Sequence, residues 1–411
     1  MSFFASRWVE APAHATEFDP AALPRGFRAA GVAAGIKPQG LDVGVLVSDA
    51  EQTVSAARFT SNARVGAPVM VSRQARLSEL RAVAANSGCS NVGDGERGIE
   101  TALATQAAVA SELGIDVDRV GVASTGVIGI ELPRDRVVAG MHEACRALGD
   151  DADAFSEAIL TSDKGPKRAC LEVELPGGRV HLAAQAKGAG MVSPRFATMF
   201  CFVETDASVR AGTLDLLTGV TVKRSFERIS VDGQLSTSDT VFALANGASG
   251  VEVGPETADE LALGEAMDAL LRQLALEMVA DGEGAARVAR VVVSGRPDAV
   301  ESVARAVADS PLVKAALHGG SPSLGRVLQA AGQVWPPGEQ FVADLEIQGR
   351  QVVSAGNALE LPVEERRELQ TAVQDDEIEY ALTIPGDGGE TEVFFSDLSE
   401  EYVNFNSSYT T

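Results

Sequence analysis

The sequence is poor in the side chains that most often bind metals or act as general bases. Its four histidines are scattered, without an HExxH arrangement or a close pair, and its four cysteines stand alone without a CxxC or CxxxC spacing. Isolated cysteines of this kind argue against a structural zinc site, and Cys201, inside an apolar run, is expected to be a small core residue. We therefore expect no metal and no cofactor, and a catalytic base other than histidine.

Long apolar runs and an excess of cations are also missing. The longest apolar runs, such as residues 43–47 and 288–293, have the length of strands and fall far short of the roughly 20 residues of a membrane helix. The first residues do not join a basic segment to an apolar stretch, so no secretory signal is expected. Acidic residues outnumber basic ones by 58 to 34, and the net charge of −24 argues against nucleic acid or an anionic membrane as a partner. These features indicate a soluble, cytoplasmic, acidic enzyme.

The apolar pattern predicts the fold class. The 411 residues, 45% of them hydrophobic, are enough for two or three structural units. Short apolar runs alternate with amphipathic stretches without the single period of a βαβ series, which predicts an α+β (mixed α/β) protein. Strands are predicted at residues 43–47, 69–71, 119–123, 199–203, 288–293, 341–348 and 378–384, and helices at 98–113, 134–148, 152–160, 258–280 and 299–308. The glycine-containing segments 31–35 and 187–190 lack the spacing of nucleotide-binding loops.

Residues 123–129 (ASTGVIG) place small residues and a hydroxyl where a strand is predicted to end. Gly126 allows a backbone N–H to approach another group closely. That N–H and the hydroxyl of Thr125 can together stabilise a developing oxyanion. The segment is also compatible with an ordinary turn between a strand and a loop.

Residues 187–200 (KGAGMVSPRFATMF) form a predicted irregular loop that leads into an apolar strand. Thr198, at the strand start, is compatible with a packed β-branched residue. If the bond between Ala197 and Thr198 were broken, however, Thr198 would carry a free α-amine, whose unperturbed pKa is roughly 7.7 to 8.0. This amine can take the proton of the neighbouring hydroxyl without any histidine.

The C-terminal residues 401–411 alternate aromatic or apolar residues with polar ones after a predicted strand at 392–395. Chain ends are usually frayed, but this pattern predicts an ordered tail. It is either a docked edge strand or a segment whose Asn and Thr side chains donate hydrogen bonds inside a pocket.

Together these stretches resemble the ornithine acetyltransferase (glutamate N-acetyltransferase) family, the N-terminal-nucleophile-type acyltransferases of arginine biosynthesis. The resemblance runs nearly from end to end. It is carried, in order, by residues 31–37 (GVAAGIK), 81–88 (RAVAANSG), 123–129 (ASTGVIG), 187–199 (KGAGMVSPRFATM), 229–233 (ISVDG), 236–240 (STSDT), 281–285 (DGEGA), 310–314 (SPLVK) and 402–411.

The resemblance implies the roles of individual residues. Members of the family cut themselves before a threonine, here between Ala197 and Thr198, which gives an α chain of residues 1–197 and a β chain of residues 198–411. Thr198 is the implied nucleophile, and Thr125 and Gly126 match the oxyanion-hole positions. The implied substrate-binding residues are Thr161, Lys187, Thr198, Glu283, Asn406 and Thr411. Lys187 is expected to meet a substrate carboxylate, and Glu283 a substrate ammonium.

The implied activity is transfer of acetyl from N2-acetylornithine to glutamate by a ping-pong mechanism through an acetyl ester on Thr198. The resemblance leaves open whether acetyl-CoA is also a donor. It implies an αββα-like fold with a smaller C-terminal domain, expected at residues 286–390, and a heterotetramer of two α and two β fragments. Two alternatives remain: a paralogous acyltransferase or amidohydrolase that acts on another N-acyl amino acid, and a non-catalytic member of the family.

The chain departs from the family pattern at four places. Residues 161–164 (TSDK) replace TTDT, residues 321–326 (SPSLGR) replace DPNWGR, residues 89–90 (CS) replace Asn–Ala, and residues 234–235 (QL) replace Asp–Thr. The nucleophile and oxyanion positions are kept. We therefore expect these departures to affect substrate choice and assembly more than the type of reaction.

Overall fold

Four β-sheets and eleven helices build the described part of the chain, which comprises residues 2–193 and 199–408 of a computed structural model. The strands are β1 (Ala15–Glu17), β2 (Phe27–Val32), β3 (Val43–Ser48), β4 (Val54–Phe59), β5 (Ala82–Asn86), β6 (Val120–Ser124), β7 (Lys167–Leu175), β8 (Gly178–Lys187), β9 (Phe200–Thr205), β10 (Ser208–Val209), β11 (Ile229–Ser230), β12 (Thr240–Ala245), β13 (Glu252–Val253), β14 (Val288–Gly295), β15 (Asp344–Ile347), β16 (Arg350–Ser354), β17 (Asn357–Ala358), β18 (Glu377–Thr383) and β19 (Gly389–Ser396). The helices are α1 (Ala67–Ser72), α2 (Gly95–Leu113), α3 (Arg134–Arg146), α4 (Asp153–Ala158), α5 (Ala211–Arg224), α6 (Ala258–Ala280), α7 (Val300–Ala308), α8 (Pro311–His318), α9 (Leu324–Gln333), α10 (Val363–Ala372) and α11 (Glu400–Ser408).

Two sheets pack face to face in the larger part of the molecule. The first sheet has the order β2-β3-β5-β6, and the second has the order β1-β7-β8-β9-β12-β4. Phenylalanines fill the space between them, and Phe242 of the second sheet lies so close to Gly121 of the first that a Cβ on Gly121 would be 2.7 Å from the Phe242 ring. Glycine at this position therefore lets the sheets approach each other.

Helices cover the outer face of each sheet. Side chains alternate between the faces of a strand, so Phe200 and Phe202 of β9 pack between the sheets, whereas Cys201 and Val203 pack on the opposite face beneath α5 and α6. The outer face of the four-stranded sheet packs against α2 and α3 in the same way. The layers are helix, sheet, sheet and helix, which confirms the predicted α+β class and αββα-like arrangement.

A third sheet, with the order β11-β19-β14-β18-β15-β16-β17, has a separate apolar core. Residues from Ala289 to Phe395 form this core with α7, α8, α9 and α10. The predicted smaller domain at residues 286–390 covers most of this unit, and its bounds stay a prediction. The remaining two strands, β10 and β13, form a parallel pair.

Most predicted elements occur within a few residues of their expected bounds, but one prediction is wrong. Residues 69–71 lie in α1 and not in a strand, because Pro68 stands in the first turn after an extended Gly66 and starts a helix. An apolar run of this length does not by itself distinguish a helix from a strand. Of the two possibilities for the C-terminus, the edge strand is excluded because residues Glu400–Ser408 form α11. Asn406 on this helix donates a hydrogen bond to Glu283, as the second possibility expects.

No helix within residues 2–193 and 199–408 combines the length and the apolar character that crossing a membrane requires.

Candidate active site

Five of the predicted site residues line one cleft of about 210 Å³. These residues come from positions that are far apart in the sequence. Four of them follow the end of a strand or helix, and Asn406 lies within α11. The predicted residues at the cleft are Thr125, Gly126, Thr161, Glu283 and Asn406, and the other lining residues are Ser90, Ile128, Ser162, Gly190, Met191, Asp232, Gln234, Ser236, Thr237, Ser238 and Tyr402.

The turn after β6 provides two hydrogen-bond donors to the cleft. Strands β5 and β6 are parallel, so both end at this edge of the sheet, where the Thr125 N–H donates to the Asn86 carbonyl at 3.0 Å. Gly126 has φ = +125°, and a Cβ there would lie 2.4 Å from the Gly88 carbonyl carbon. Among the residues that the structure describes, no atom accepts a hydrogen bond from the Gly126 N–H. This N–H is therefore available to a ligand in the cleft.

Lys187 lies behind the two threonines of the cleft. The side chain is 1% exposed, and its Nζ donates to Thr161 Oγ1 at 2.8 Å and to Thr125 Oγ1 at 3.2 Å. A lysine ammonium can only donate, so both hydroxyl oxygens must accept and their own hydrogens can point elsewhere. Lys187 thus leaves the Thr125 hydroxyl free to donate into the cleft beside the Gly126 N–H.

Two opposing effects act on the charge of Lys187. Burial lowers the pKa of Lys187, whereas the carboxylate of Asp163 favours its charged form. Asp163 accepts hydrogen bonds from Lys167 Nζ at 2.7 Å and from the Gly188 N–H at 2.7 Å. Burial alone would raise the pKa of Asp163. The opposite effect of the two lysine charges and the hydrogen bonds is larger, and the pKa falls to about 2. Asp163 is therefore a permanent anion between two lysines.

Two hydrogen bonds hold Glu283 at the cleft. Its Oε1 accepts from Ser162 Oγ at 2.6 Å, and its Oε2 accepts from Asn406 Nδ2 at 2.9 Å. Gly190 makes room for this carboxylate, because a Cβ on Gly190 would lie 2.4 Å from Glu283 Oε1. Two donors thus fix a carboxylate at a point where a ligand ammonium can reach it.

Asp232 and Tyr402 also line the cleft, although they are not among the residues predicted for the site. Asp232 accepts the N–H groups of Met191 and Val192 at 2.7 Å and 3.0 Å. Burial raises the pKa of Asp232, although these hydrogen bonds oppose the rise. The Tyr402 hydroxyl donates to Asp232 Oδ2 at 3.4 Å, and burial raises the pKa of this phenol. Asp232 belongs to the segment 229–233 that resembles the family, which is the one signal in the sequence that could have pointed to it.

Three predicted residues, Ala197, Thr198 and Thr411, lie outside the described residues. The description resumes at Met199, whose N–H donates to Asp239 Oδ1 at 3.0 Å.

Three of the four departures from the family pattern reach the cleft, through the lining residues Ser90, Ser162 and Gln234. Ser162 bonds Glu283, and the exposed Gln234 lines the rim, where its N–H donates to Asp232 Oδ1 at 3.0 Å. Lys164 is exposed, and its N–H donates to Asp281. Ser323 is the residue before α9, away from the cleft.

Within residues 2–193 and 199–408, no group of three or more His, Cys, Asp or Glu side chains has the arrangement of a metal site. The described residues of the cleft offer hydroxyl groups, the Gly126 N–H and carboxylates, and a buried lysine lies behind them.

Comparisons with known proteins identify a family. A profile of the ArgJ family matches residues 28–411. The chain is 41% identical over 399 residues to the arginine biosynthesis bifunctional protein ArgJ of Rhodopirellula baltica, a match that covers 95% of this chain and 96% of that protein. It is 39% identical over 396 residues to the protein of the same name from Symbiobacterium thermophilum, with coverage of 94% and 98%. A solved structure of ornithine acetyltransferase from Mycobacterium tuberculosis, complexed with ornithine, is 33% identical in sequence to this chain. The TM-score is 0.41, and the match covers 45% of this chain and 99% of that chain.

Proposed function

This chain belongs to the ArgJ family and is an acetyltransferase of arginine biosynthesis, and we propose that it moves the acetyl group of N2-acetylornithine to glutamate through an ester on Thr198. One observation supports the proposal above all. The free Gly126 N–H and the Thr125 hydroxyl, which Lys187 orients, line the same cleft as Glu283, which is fixed for an ammonium. Acyl transfer needs an oxyanion site beside a substrate-binding site, and these residues can supply both.

The proposed nucleophile forms by self-cleavage. The Thr198 hydroxyl attacks the Ala197 carbonyl, the peptide C–N bond breaks as an ester forms, and water then hydrolyses the ester to an Ala197 carboxylate. Thr198 is left with a free α-amine beside its hydroxyl. The connection that contains this bond joins β8 to β9, which pair antiparallel with Lys187 opposite Phe200. The two fragments would therefore stay hydrogen-bonded in one sheet.

In the first proposed half-reaction, the Thr198 oxygen attacks the acetyl carbonyl of N2-acetylornithine. The α-amine of Thr198 takes the hydroxyl proton and passes it to the leaving α-nitrogen of ornithine. The carbonyl oxygen becomes an oxyanion that accepts from the Thr125 hydroxyl and the Gly126 N–H. One such donor typically lowers the activation free energy by about 3–4 kcal/mol. We therefore expect these two donors to supply a large part of the rate enhancement.

In the second half-reaction, the α-amine of glutamate attacks the acetyl ester on Thr198. The ester C–O bond breaks, Thr198 regains its hydroxyl proton and N-acetylglutamate leaves. The same oxyanion site serves both half-reactions. In each of them the acetyl carbon becomes tetrahedral while it is bonded to the hydroxyl oxygen of Thr198. Ping-pong kinetics follow from this shared covalent intermediate.

The charges of the cleft support a donor that carries a free ammonium. Asp232 and Glu283 are the acidic residues that line it, and no Lys or Arg among the described residues lines it with them. We assign Glu283 to the ammonium of the substrate. Thr161, Lys187, Asn406 and Thr411 remain proposed substrate contacts, with Lys187 acting on a carboxylate through the Thr161 hydroxyl that it bonds.

Intact mass spectrometry after incubation with N2-acetylornithine tests the proposal. We expect two fragments that separate before Thr198, and a gain of one acetyl group on the C-terminal fragment that glutamate removes. Thr198→Ala should stay uncut and gain no acetyl group. A full-length chain without an adduct would support the non-catalytic alternative, and loss of the acetyl group to water at the same rate without glutamate would support an amidohydrolase.

The donor and the assembly need separate measurements. Acetyl-CoA in place of N2-acetylornithine shows whether the second donor also loads Thr198. We also propose a heterotetramer of two α and two β fragments, and native mass spectrometry should give the mass of four fragments. A mass that corresponds to one α and one β fragment would contradict this assembly.

A further inference from the structure

A second cavity, of about 290 Å³, collects arginine side chains in a chain whose net charge is −24. Residues of α5, α6, β14 and β19 contribute to its wall, and within the described residues it shares no lining residue with the cleft of the candidate active site. The charged residues that line it are Arg224, Arg228, Arg272, Arg290, Glu390 and Glu392. Four cations against two carboxylates make this wall positive on the surface of an acidic protein.

One carboxylate serves two of the arginines. Glu392 Oε1 accepts from Arg272 Nη1 at 2.6 Å, and its Oε2 accepts from Arg290 Nε at 2.7 Å. Burial alone would raise the pKa of Glu392, but the two guanidinium charges have the larger effect and the pKa is lowered. Glu392 is therefore an anion with both oxygens in use. Arg272 has no second carboxylate partner among the described residues, so one negative charge is shared between two cations.

Arg228 has no acidic partner at all within the described part of the chain. Its Nη1 donates to the Thr391 hydroxyl, which is the one hydrogen bond of this side chain to a described residue. A guanidinium carries five N–H donors, so most of the donors of Arg228 stay available. Glu390, which also lines the cavity, is exposed and forms no ion pair with a described residue.

The two remaining counterions do not line the cavity. Asp268 accepts from Arg224 Nε at 2.8 Å, and Glu379 accepts from Arg290 Nη1 at 3.1 Å. Neither acid belongs to the wall of the cavity. Negative charge therefore lies mostly behind the arginines, while guanidinium groups face the space between them.

The chemistry of this wall matches an anion with several oxygens. Guanidinium groups bind carboxylate and phosphate oxygens through paired N–H donors, with a geometry that a single ammonium does not offer. The Thr391 hydroxyl accepts from Arg228, so its own hydrogen is free to be donated to another acceptor. We propose that this cavity binds a small oxyanion with at least two negative charges, a phosphate or a dicarboxylate, with Arg228 and Arg272 as its main donors.

Isothermal titration calorimetry of the purified parental protein, with inorganic phosphate and separately with malonate, tests the proposal. Chloride keeps the ionic strength constant, because screening would otherwise change during the titration. We expect saturable binding, and a Kd at least about tenfold weaker in Arg228→Gln, the effect of one lost hydrogen bond to a charged group. Phosphate binding alone assigns the site to a phosphate group, and malonate binding alone assigns it to a dicarboxylate.

Arg350→Gln is the matched control. Arg350 contacts Glu365 at 3.0 Å and Glu368 at 2.6 Å and does not line this cavity, so the variant removes the same charge elsewhere. Its Kd should equal the parental value. Binding of neither anion, a parental Kd in Arg228→Gln, or an equal loss of affinity in both variants would overturn the inference.

A measurement on the parental protein replaces Arg228→Gln if that variant does not fold. Phenylglyoxal modifies accessible arginines, and peptide mass spectrometry gives the rate at each position. The anion that binds should slow the modification of Arg228 severalfold and leave that of Arg350 unchanged. Equal rates at Arg228 with and without the anion would contradict the site.

Discussion

Two fully buried aspartates near Lys187 behave in opposite ways. Asp163 accepts hydrogen bonds from Lys167 and Gly188, and its pKa falls to about 2. Asp239 has one backbone donor and no ion pair among the described residues, and its pKa rises. Both are 0% exposed at the side chain, so burial alone does not explain the difference.

The two carboxyl groups differ in how many hydrogen bonds and opposite charges surround them. The surroundings of Asp163 compensate its charge, as a structural ion pair requires. Asp239 has a single hydrogen bond from a backbone N–H and no ion pair among the described residues to compensate its charge. Buried acids of the first kind stabilise the fold, whereas those of the second kind are candidates for a role in the chemistry.

The largest effect on stability is expected when the negative charge of Asp163 is removed. Asp163→Asn leaves Lys167 and Lys187 buried with less compensation, and breaking a buried ion pair in this way costs about 3–5 kcal/mol. Thermal unfolding should show a large drop in the midpoint. Asp153→Asn, which removes the exposed partner of Arg168, is the control and should lower the midpoint little. Equal midpoints for the two variants would contradict the structural role of Asp163.

The pH dependence of stability should have opposite signs for Asp163, whose folded pKa is lowered, and for Glu204, whose folded pKa is raised. The folded pKa of Asp163, about 2, lies below its usual 3.8, so its stabilisation is present above pH 3.8 and is lost as the pH falls toward 2. The folded pKa of Glu204, about 8, lies above its usual 4.5, so its contribution is present below pH 4.5 and is lost as the pH rises through 8. Each pKa unit corresponds to about 1.4 kcal/mol.

Unfolding midpoints from acid to alkaline pH measure both effects. Glu204→Gln should remove part of the alkaline loss and leave acetyl transfer unchanged. An unchanged alkaline slope in Glu204→Gln would show that Glu204 is ionised in the folded protein.

A smaller effect, on substrate binding, is expected when Glu283 loses one of its two hydrogen-bond donors. Ser162→Ala removes the 2.6 Å hydrogen bond to Glu283 Oε1, and a hydrogen bond to a charged group is worth roughly 1.5 kcal/mol. We expect KM for N2-acetylornithine to rise about tenfold with less change in kcat, because Glu283 contacts the bound ammonium and not the reacting carbon. Ser162→Thr, which keeps the hydroxyl, should restore KM, and the idea fails if Thr and Ala behave alike.

The smallest effect is expected at Lys164. Its side chain is exposed and is not part of the cleft lining, and an exposed charge typically contributes about 0–1 kcal/mol. Lys164→Thr, which restores the residue usual in the family, should therefore change kcat/KM by less than about fivefold. Steady-state kinetics with N2-acetylornithine and glutamate measure this, and a larger change would place Lys164 among the determinants of substrate choice.

The sequence predicted the elements that have a clear period and the residues that belong to family motifs. Helix α6 was expected at its observed bounds, and Thr125 and Glu283 were expected in the site. The run 69–71 was misassigned because three apolar residues have no period of their own, and Pro68 decided the outcome. The C-terminal alternation was ambiguous for the same reason.

The residues that support the site could not be predicted because their roles exist only through contacts in the fold. Ser162 and Glu283 are 121 residues apart in the sequence, and Asp239 reaches Met199 from a neighbouring strand. The segments 229–233 and 236–240 resemble the family, yet the sequence alone does not reveal that Asp232 lines the cleft or that Asp239 accepts the N–H of Met199.

The pairing of β8 with β9 has a consequence for how the molecule can be produced. Six residue pairs, from Leu182 opposite Thr205 to Lys187 opposite Phe200, join the regions on either side of the Ala197–Thr198 bond. Continuity of the backbone is thus not what keeps the two halves side by side. Two separate genes, one ending at residue 197 and one beginning with Thr198 behind a removable methionine, should encode halves that reassemble inside the cell as an intact enzyme.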